Sequence, residues 1–151
     1  MKPALSFRFY RPEGARPIAQ WVARKIDGCG RGFDPCVAMS VHRGDRIVGG
    51  VLFHNFSPES RVMEMSAAGQ NWLNRPILFA MHEYIFDTAG CQLAVQRVSE
   101  RNKRMLRIAE AYGYRKHLIP RLRGQNEAEA VMTLTDDDWR KNRFHKGQSY
   151  G

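Results

Sequence analysis

Residues 98 to 114, VSERNKRMLRIAEAYGY, constrain this chain more than any other stretch, because a strand end, a capped helix and a glycine stop fall within them. Asn102 is a strong N-cap residue, since its short side chain accepts from amides that a first helical turn leaves unbonded. Met105, Leu106, Ile108, Ala109 and Tyr112 then recur at three- and four-residue steps, and Gly113 ends the run. Before the helix, Leu93, Val95 and Val98 form an apolar run suited to a buried strand. After it, 116 to 123 is short enough for another.

The rest of the chain supplies partners for this unit. Residues 5 to 10 alternate Leu5, Phe7 and Phe9 with Ser6 and Arg8, which predicts a strand with one covered face. Pro12 and Gly14 break it, and Ile18, Trp21, Val22 and Ile26 mark a helix over 17–27. The segment 28–36, GCGRGFDPC, reads as a loop; it has glycines but no Walker spacing. Two apolar runs, 37–42 and 47–56, flank Gly44-Asp45 and predict an antiparallel hairpin, so the RGD triplet there is a turn. A third strand follows over 61–66, with Val62, Glu64 and Ser66 on one face and Met63 and Met65 on the other.

Pro76 then suits a first helical turn, and Ile77, Leu78, Met81, Ile85 and Phe86 form the apolar stripe of a helix over 76–88. Strand, helix and the strand at 93–98 make a βαβ unit, which demands parallel pairing of its two strands. Residues 116–122 and 130–134 read as a closing antiparallel pair about Gly124, and 136–139 as the start of a last turn. The fold class expected is α/β (α+β): a mixed, mostly antiparallel sheet with a central parallel strand pair, flanked by helices, in one domain over 1–140. A polar, loose tail is expected over 141–151.

Composition narrows the function classes. No apolar run approaches a membrane span, and Arg8, Arg11 and Glu13 interrupt any leader-like region, so a cytoplasmic protein without a membrane partner is expected. Cys29, Cys36 and Cys91 have neither disulfide-framework nor metal-site spacing and read as buried or loop thiols. The formal charge of +9 attracts phosphates of any kind, whether in nucleic acid or in a polyphosphorylated cofactor. Arg101, Lys103, Arg104, Arg107, Arg115 and Lys116 gather around one helix, but a nucleic-acid partner rests on that charge alone.

The order of strand, Asn-capped helix and Gly-aromatic pair, here Asn102 and Gly113-Tyr114, resembles the second half of a GCN5-related N-acetyltransferase (GNAT) domain. The likeness extends over about 5 to 139. It implies acetyl-CoA as cofactor and an amine of a small molecule or protein as acceptor. It also implies that the strand carrying Met63 and Met65 offers backbone groups to the pantetheine arm, that Asn102 lies near that arm, and that the loop Gln70-Asn71-Trp72-Leu73-Asn74-Arg75 holds the pyrophosphate. Gln70 fits the family pattern, whereas Leu73 and Arg75 replace two small residues that let backbone approach phosphate. Either Arg75 and Asn74 hold the cofactor differently, or the site has decayed. The pattern around Trp72 and Arg75 also resembles divergent acetyltransferase-like proteins of phages and prophages.

Catalysis needs a group to protonate the leaving thiolate and one to take the amine proton. Many family members place a Tyr where this chain has Ala109. Tyr112, one turn on, is the substitute, although an aromatic there is more often core packing. Glu64 is the first candidate base and His54 the second; His82 reads as a helix-surface residue. The competing reading is a non-catalytic acetyltransferase-like structural or binding protein.

Overall fold

The computed structural model describes residues 2–26 and 32–146. Seven strands form a sheet: β1 (Leu5–Tyr10), β2 (Val37–Arg43), β3 (Arg46–Ser57), β4 (Val62–Gly69), β5 (Leu93–Ser99), β6 (Arg115–Gly124) and β7 (Glu127–Thr135). Their order is β1-β2-β3-β4-β5-β7-β6. The helices are α1 (Arg16–Ala23), α2 (Arg75–Glu83), α3 (Lys103–Tyr112), α4 (Asp136–Lys141) and α5 (Arg143–Lys146), and Tyr84–Thr88 continues α2 as a π-helical turn. The mixed, mostly antiparallel sheet has one parallel pair, β4 with β5, as the βαβ pattern requires.

The chain divides into two compact units, one drawn from Met1–Phe56 and Met65–Met81 and the other from Ser57–Glu64 and His82–Gly151. In the first, α1 buries Ile18 and Val22 against Ala38 and Leu52, with Tyr10 and Trp21 packed beside them. Gly50 makes this approach possible: a Cβ there would stand 2.7 Å from Val22. One expectation changes. β1 is exposed on both faces along most of its length, because it is the sheet's outermost strand and α1 reaches only Tyr10. Phe9 is sheltered in part by stacking on Phe53 at 6.0 Å between ring centroids.

In the second unit, Ala94, Gln96 and Val98 of β5 and Ala130, Met132 and Leu134 of β7 form one buried face, with Leu106, Ala109 and Tyr112 of α3 and Trp139 of α4 also in the core. Asn102 accepts from the Met105 amide at 3.2 Å and Gly113 takes φ 119°, so both ends of α3 form as the sequence predicts. The loose-tail expectation changes over 143–146. There α5 forms, capped by Asn142, and Phe144 packs on Tyr112 at 5.0 Å between ring centroids. Residues 147–151 of the expected tail, and 28–31 of the expected loop with Cys29, lie outside the described residues. Cys36 and Cys91 are free, buried thiols. No helix among the described residues is long and apolar enough to cross a membrane.

Candidate functional site

Within the first unit, β4 runs on to Gly69, three residues past the expected end, and the Gln70 amide donates to the Val48 carbonyl at 3.1 Å. The loop between β4 and α2 is then anchored by Trp72. Its indole fills a slot where Cβ atoms on Gly49 or Gly69 would lie 2.6 Å from the ring, so both positions must be glycine. Sequence reading placed Gly49 in a strand and Gly69 in none, and the loop's own lack of glycine had no visible reason. Trp72 is buried and Leu73 half-buried, while Gln70, Asn74 and Arg75 are exposed. Arg43 fastens the loop from the other side, donating to the Asn71 carbonyl at 3.2 Å and to the Pro3 carbonyl at 2.8 Å.

Asn74 caps α2, its Oδ1 accepting from the Ile77 amide at 2.9 Å. Pro76 has no N–H, so two of the first three residues of α2 offer no open amide to an anion. A pyrophosphate here therefore depends on the guanidinium of Arg75 at the positive end of the helix dipole. The charge fits coenzyme A; the amide cradle of a glycine loop is reduced. His54 Nε2 lies 2.7 Å from Ser66 Oγ, and Phe33 stands edge-on to its ring, which ties this candidate base into the sheet surface.

Within the second unit, the parallel register pairs Val62 with Leu93, Met63 with Ala94 and Glu64 with Val95. Met63 is buried, as is Met65 further along, so any contact they make with a cofactor arm is through backbone. Glu64 is half-buried on the opposite face, which β5 continues with Val95, Arg97 and Ser99 and β7 with Glu127, Glu129, Val131 and Thr133. That face carries a group the sequence reading missed. Glu129, 3% exposed, accepts from Arg97 Nε and Nη2 at 2.9 and 2.7 Å through one oxygen, and from Arg123 Nε at 3.0 Å through the other. The available signal was an acid inside an apolar strand, EAEAVMTL, which needs a cation beside it.

Tyr112 sits in the core. Its hydroxyl accepts from Trp139 Nε1 at 3.0 Å and its ring lies 4.6 Å from that of His82, which is the packing role and not a proton donor open to substrate. His82 is not on the surface as expected: it is 1% exposed, with Nε2 hydrogen-bonded to the Tyr114 hydroxyl at 2.7 Å. Burial pushes the Tyr114 hydroxyl well above its usual range, against a lowering by its hydrogen bond from Gln96. Around α3, Arg101 pairs with Glu127, Arg115 with Asp138 and Lys116 with Glu110, so half of the six-cation cluster is neutralised within the chain. This leaves the nucleic-acid reading without support.

No protein-family model matches the chain, and no curated protein sequence does. Solved structures do. A dodecameric spermidine N-acetyltransferase from Vibrio cholerae superposes with a TM-score of 0.70 at 12% identity, over 91% of this chain and 96% of that one. The candidate acetyltransferase yncA from Salmonella typhimurium, solved with its cofactor acetyl-CoA, gives 0.65 at 12% identity over 87% and 94%. A GCN5-related N-acetyltransferase from Brucella melitensis gives 0.64 at 15% identity over 88% and 77%. Two candidate acetyltransferases matched at 18% identity are longer, and this chain spans 58% and 66% of them. The fold is that of the GCN5-related N-acetyltransferases.

Proposed function

We propose that the protein is an acetyl-CoA-dependent N-acyltransferase acting on an amine. The observation that carries this reading is Glu64: a carboxylate at the Glu64–Val95 pair of the one parallel register, on the strand face turned away from the core. The fold neighbours support it, one of them solved with acetyl-CoA. Acetyl-CoA would supply the acetyl group as a thioester, whose carbonyl carbon–sulfur bond is exchanged for the new carbon–nitrogen bond, with coenzyme A leaving as the thiolate. Arg75 holds the pyrophosphate, with Gln70 as a second contact. In this reading Asn102, beyond its N-cap role, also contacts the pantetheine. Glu64 takes the proton that the amine loses, directly or through water, and His54 is held to Ser66 and serves structure. The thiolate, with a pKa near 8 to 9, takes its proton from solvent. Ala109 and the enclosed Tyr112 hydroxyl leave solvent as the donor.

That same missing acid, with Trp72 in place of an open glycine loop, favours a second reading: a non-catalytic acetyltransferase-like binding protein. Thiol release from acetyl-CoA across a panel of amines separates the two. Glu64→Gln is expected to lower turnover by about 10²- to 10⁴-fold while leaving coenzyme A affinity nearly unchanged. Bound coenzyme A with no release above spontaneous hydrolysis for any acceptor establishes the second reading.

A further inference from the structure

We propose that Ser66 and His54 form a nucleophile–base pair that takes the acetyl group from acetyl-CoA as a serine ester and passes it to water, a hydrolase activity open when no amine is bound. The inference rests on the coenzyme A reading for its substrate and on the first unit alone for its geometry. In amine transfer the pair is a structural contact; without an amine the same contact is the one a nucleophile needs. His54 Nε2 stands 2.7 Å from Ser66 Oγ, within reach of the hydroxyl proton, and Phe33 meets the imidazole edge-on at 5.1 Å between ring centroids, which fixes its plane. Both side chains are half-buried, so a substrate can reach them. A second pair shows the closed version of this contact. Ser40 Oγ is also 2.7 Å from a histidine, His42, but Ser40 is fully buried and donates to the Tyr10 hydroxyl at 3.0 Å.

Position along β4 brings the pair to the thioester. Ser66 is three residues before Gly69, about 10 Å at strand spacing, and Gln70 and the loop to Arg75 follow. With the pyrophosphate at that loop, a pantetheine arm lying along β4 spans this distance and ends at the level of Ser66. In the tautomer that leaves Nε2 open, His54 takes the hydroxyl proton as Oγ attacks the carbonyl carbon. The carbon–sulfur bond breaks, its electron pair leaves with sulfur, and the imidazolium returns the proton to the thiolate. Water then gives a proton to Nε2 and adds its oxygen to the ester carbonyl. The carbon–Oγ bond breaks, the proton goes back to Oγ, and acetate leaves with the proton of its acid.

The first test is amine-free. Wild-type protein with acetyl-CoA is expected to release acetate and thiol in equal amounts, about 10²-fold faster than spontaneous hydrolysis, the low end for a positioned base. Protein quenched in acid should carry an acetyl group, mapped by peptide mass to Ser66. Ser66→Ala is expected to abolish both with coenzyme A affinity unchanged in calorimetry, and His54→Gln should return release to the spontaneous rate. Ser66→Cys keeps a nucleophile in place and should still take the acetyl group, which guards against a folding defect. Amine-free release at the spontaneous rate overturns the proposal, as does release that survives in Ser66→Ala or acetylation only at a lysine or the N-terminus. The second test needs no coenzyme A site: p-nitrophenyl acetate should give a burst of nitrophenolate and the same ester on Ser66, lost in His54→Gln. That ester, in wild-type protein that does not bind coenzyme A, sinks the acyltransferase reading and keeps the nucleophile. Amine-dependent thiol release, with no ester on Ser66 from either reagent and no amine-free release, does the reverse.

Discussion

His82 Nε2 and the Tyr114 hydroxyl are 2.7 Å apart in the core, joining the end of α2 to the residue after the α3 glycine stop. Each is the other's partner where water does not reach. Tyr114→Phe therefore removes the hydroxyl that His82 and Gln96 both meet in the core and is expected to cost about 1–3 kcal/mol in chemical denaturation. Wild-type stability should also fall as the pH rises above about 10. The folded-state pKa of Tyr114 is raised, so the unfolded chain loses its proton first and alkaline conditions favour unfolding. Tyr114→Phe should flatten that alkaline limb.

Gly49→Ala places a methyl group 2.6 Å from the Trp72 ring and must push the indole out of its slot. A loss of about 1–3 kcal/mol is expected by thermal denaturation, with Trp72 fluorescence shifted to the red. In a Trp72→Ala background the same glycine change should cost far less. Equal costs in both backgrounds would show that the slot is not what holds the loop.

His145 lies edge-on to Trp139 at 4.2 Å, and its pKa is lowered by burial and then by Arg140, against a smaller opposing effect of Asp87. A depressed histidine contributes stability above its unfolded pKa of about 6.5 and loses it as the pH falls. Acidification from 7 to 5 is thus expected to loosen α5 from Trp139. Tryptophan fluorescence followed against pH should show a transition that His145→Gln removes.

Arg75→Ala is expected to weaken coenzyme A binding by about one to two orders of magnitude in calorimetry, since Pro76 and the bonded Ile77 amide leave the guanidinium as the main phosphate contact. Coenzyme A bound equally well by the variant would place the pyrophosphate elsewhere.

The strand and helix order was legible because each element carries its own period, and Asn102 and Gly113 fix α3 by chemistry that is local. What the sequence concealed depends on partners far along the chain. His82 lies within the α2 stripe, one turn from Leu78 and Phe86, and a partner for it, Tyr114, lies thirty-two residues on, where the sequence does not show it. The slot for Trp72 was hidden because Gly49, one of the two glycines that receive it, lies far back along the chain on β3. Phe7 and Phe9 alternate as though one face were covered, yet periodicity does not tell an edge strand from an inner one. Glu64 was legible as a candidate; the Arg97–Glu129–Arg123 group was not, because it spans three strands.

At the other margin of the sheet, β6 is exposed along nearly its whole length and shows Leu118, Ile119 and Leu122 to solvent. Such an edge ordinarily recruits strands from other molecules and seeds aggregation. Here its register with β7 breaks between Ile119 and Gly124, Pro120 withholds an amide, and Arg121 adopts φ 66°. The straight run open to a foreign strand is thus cut to the five residues 115–119, two of them cationic and one a histidine. The kink works as a guard against fibrous assembly, and Pro120→Thr should raise the rate at which this protein clouds on heating even if its melting temperature stays where it was.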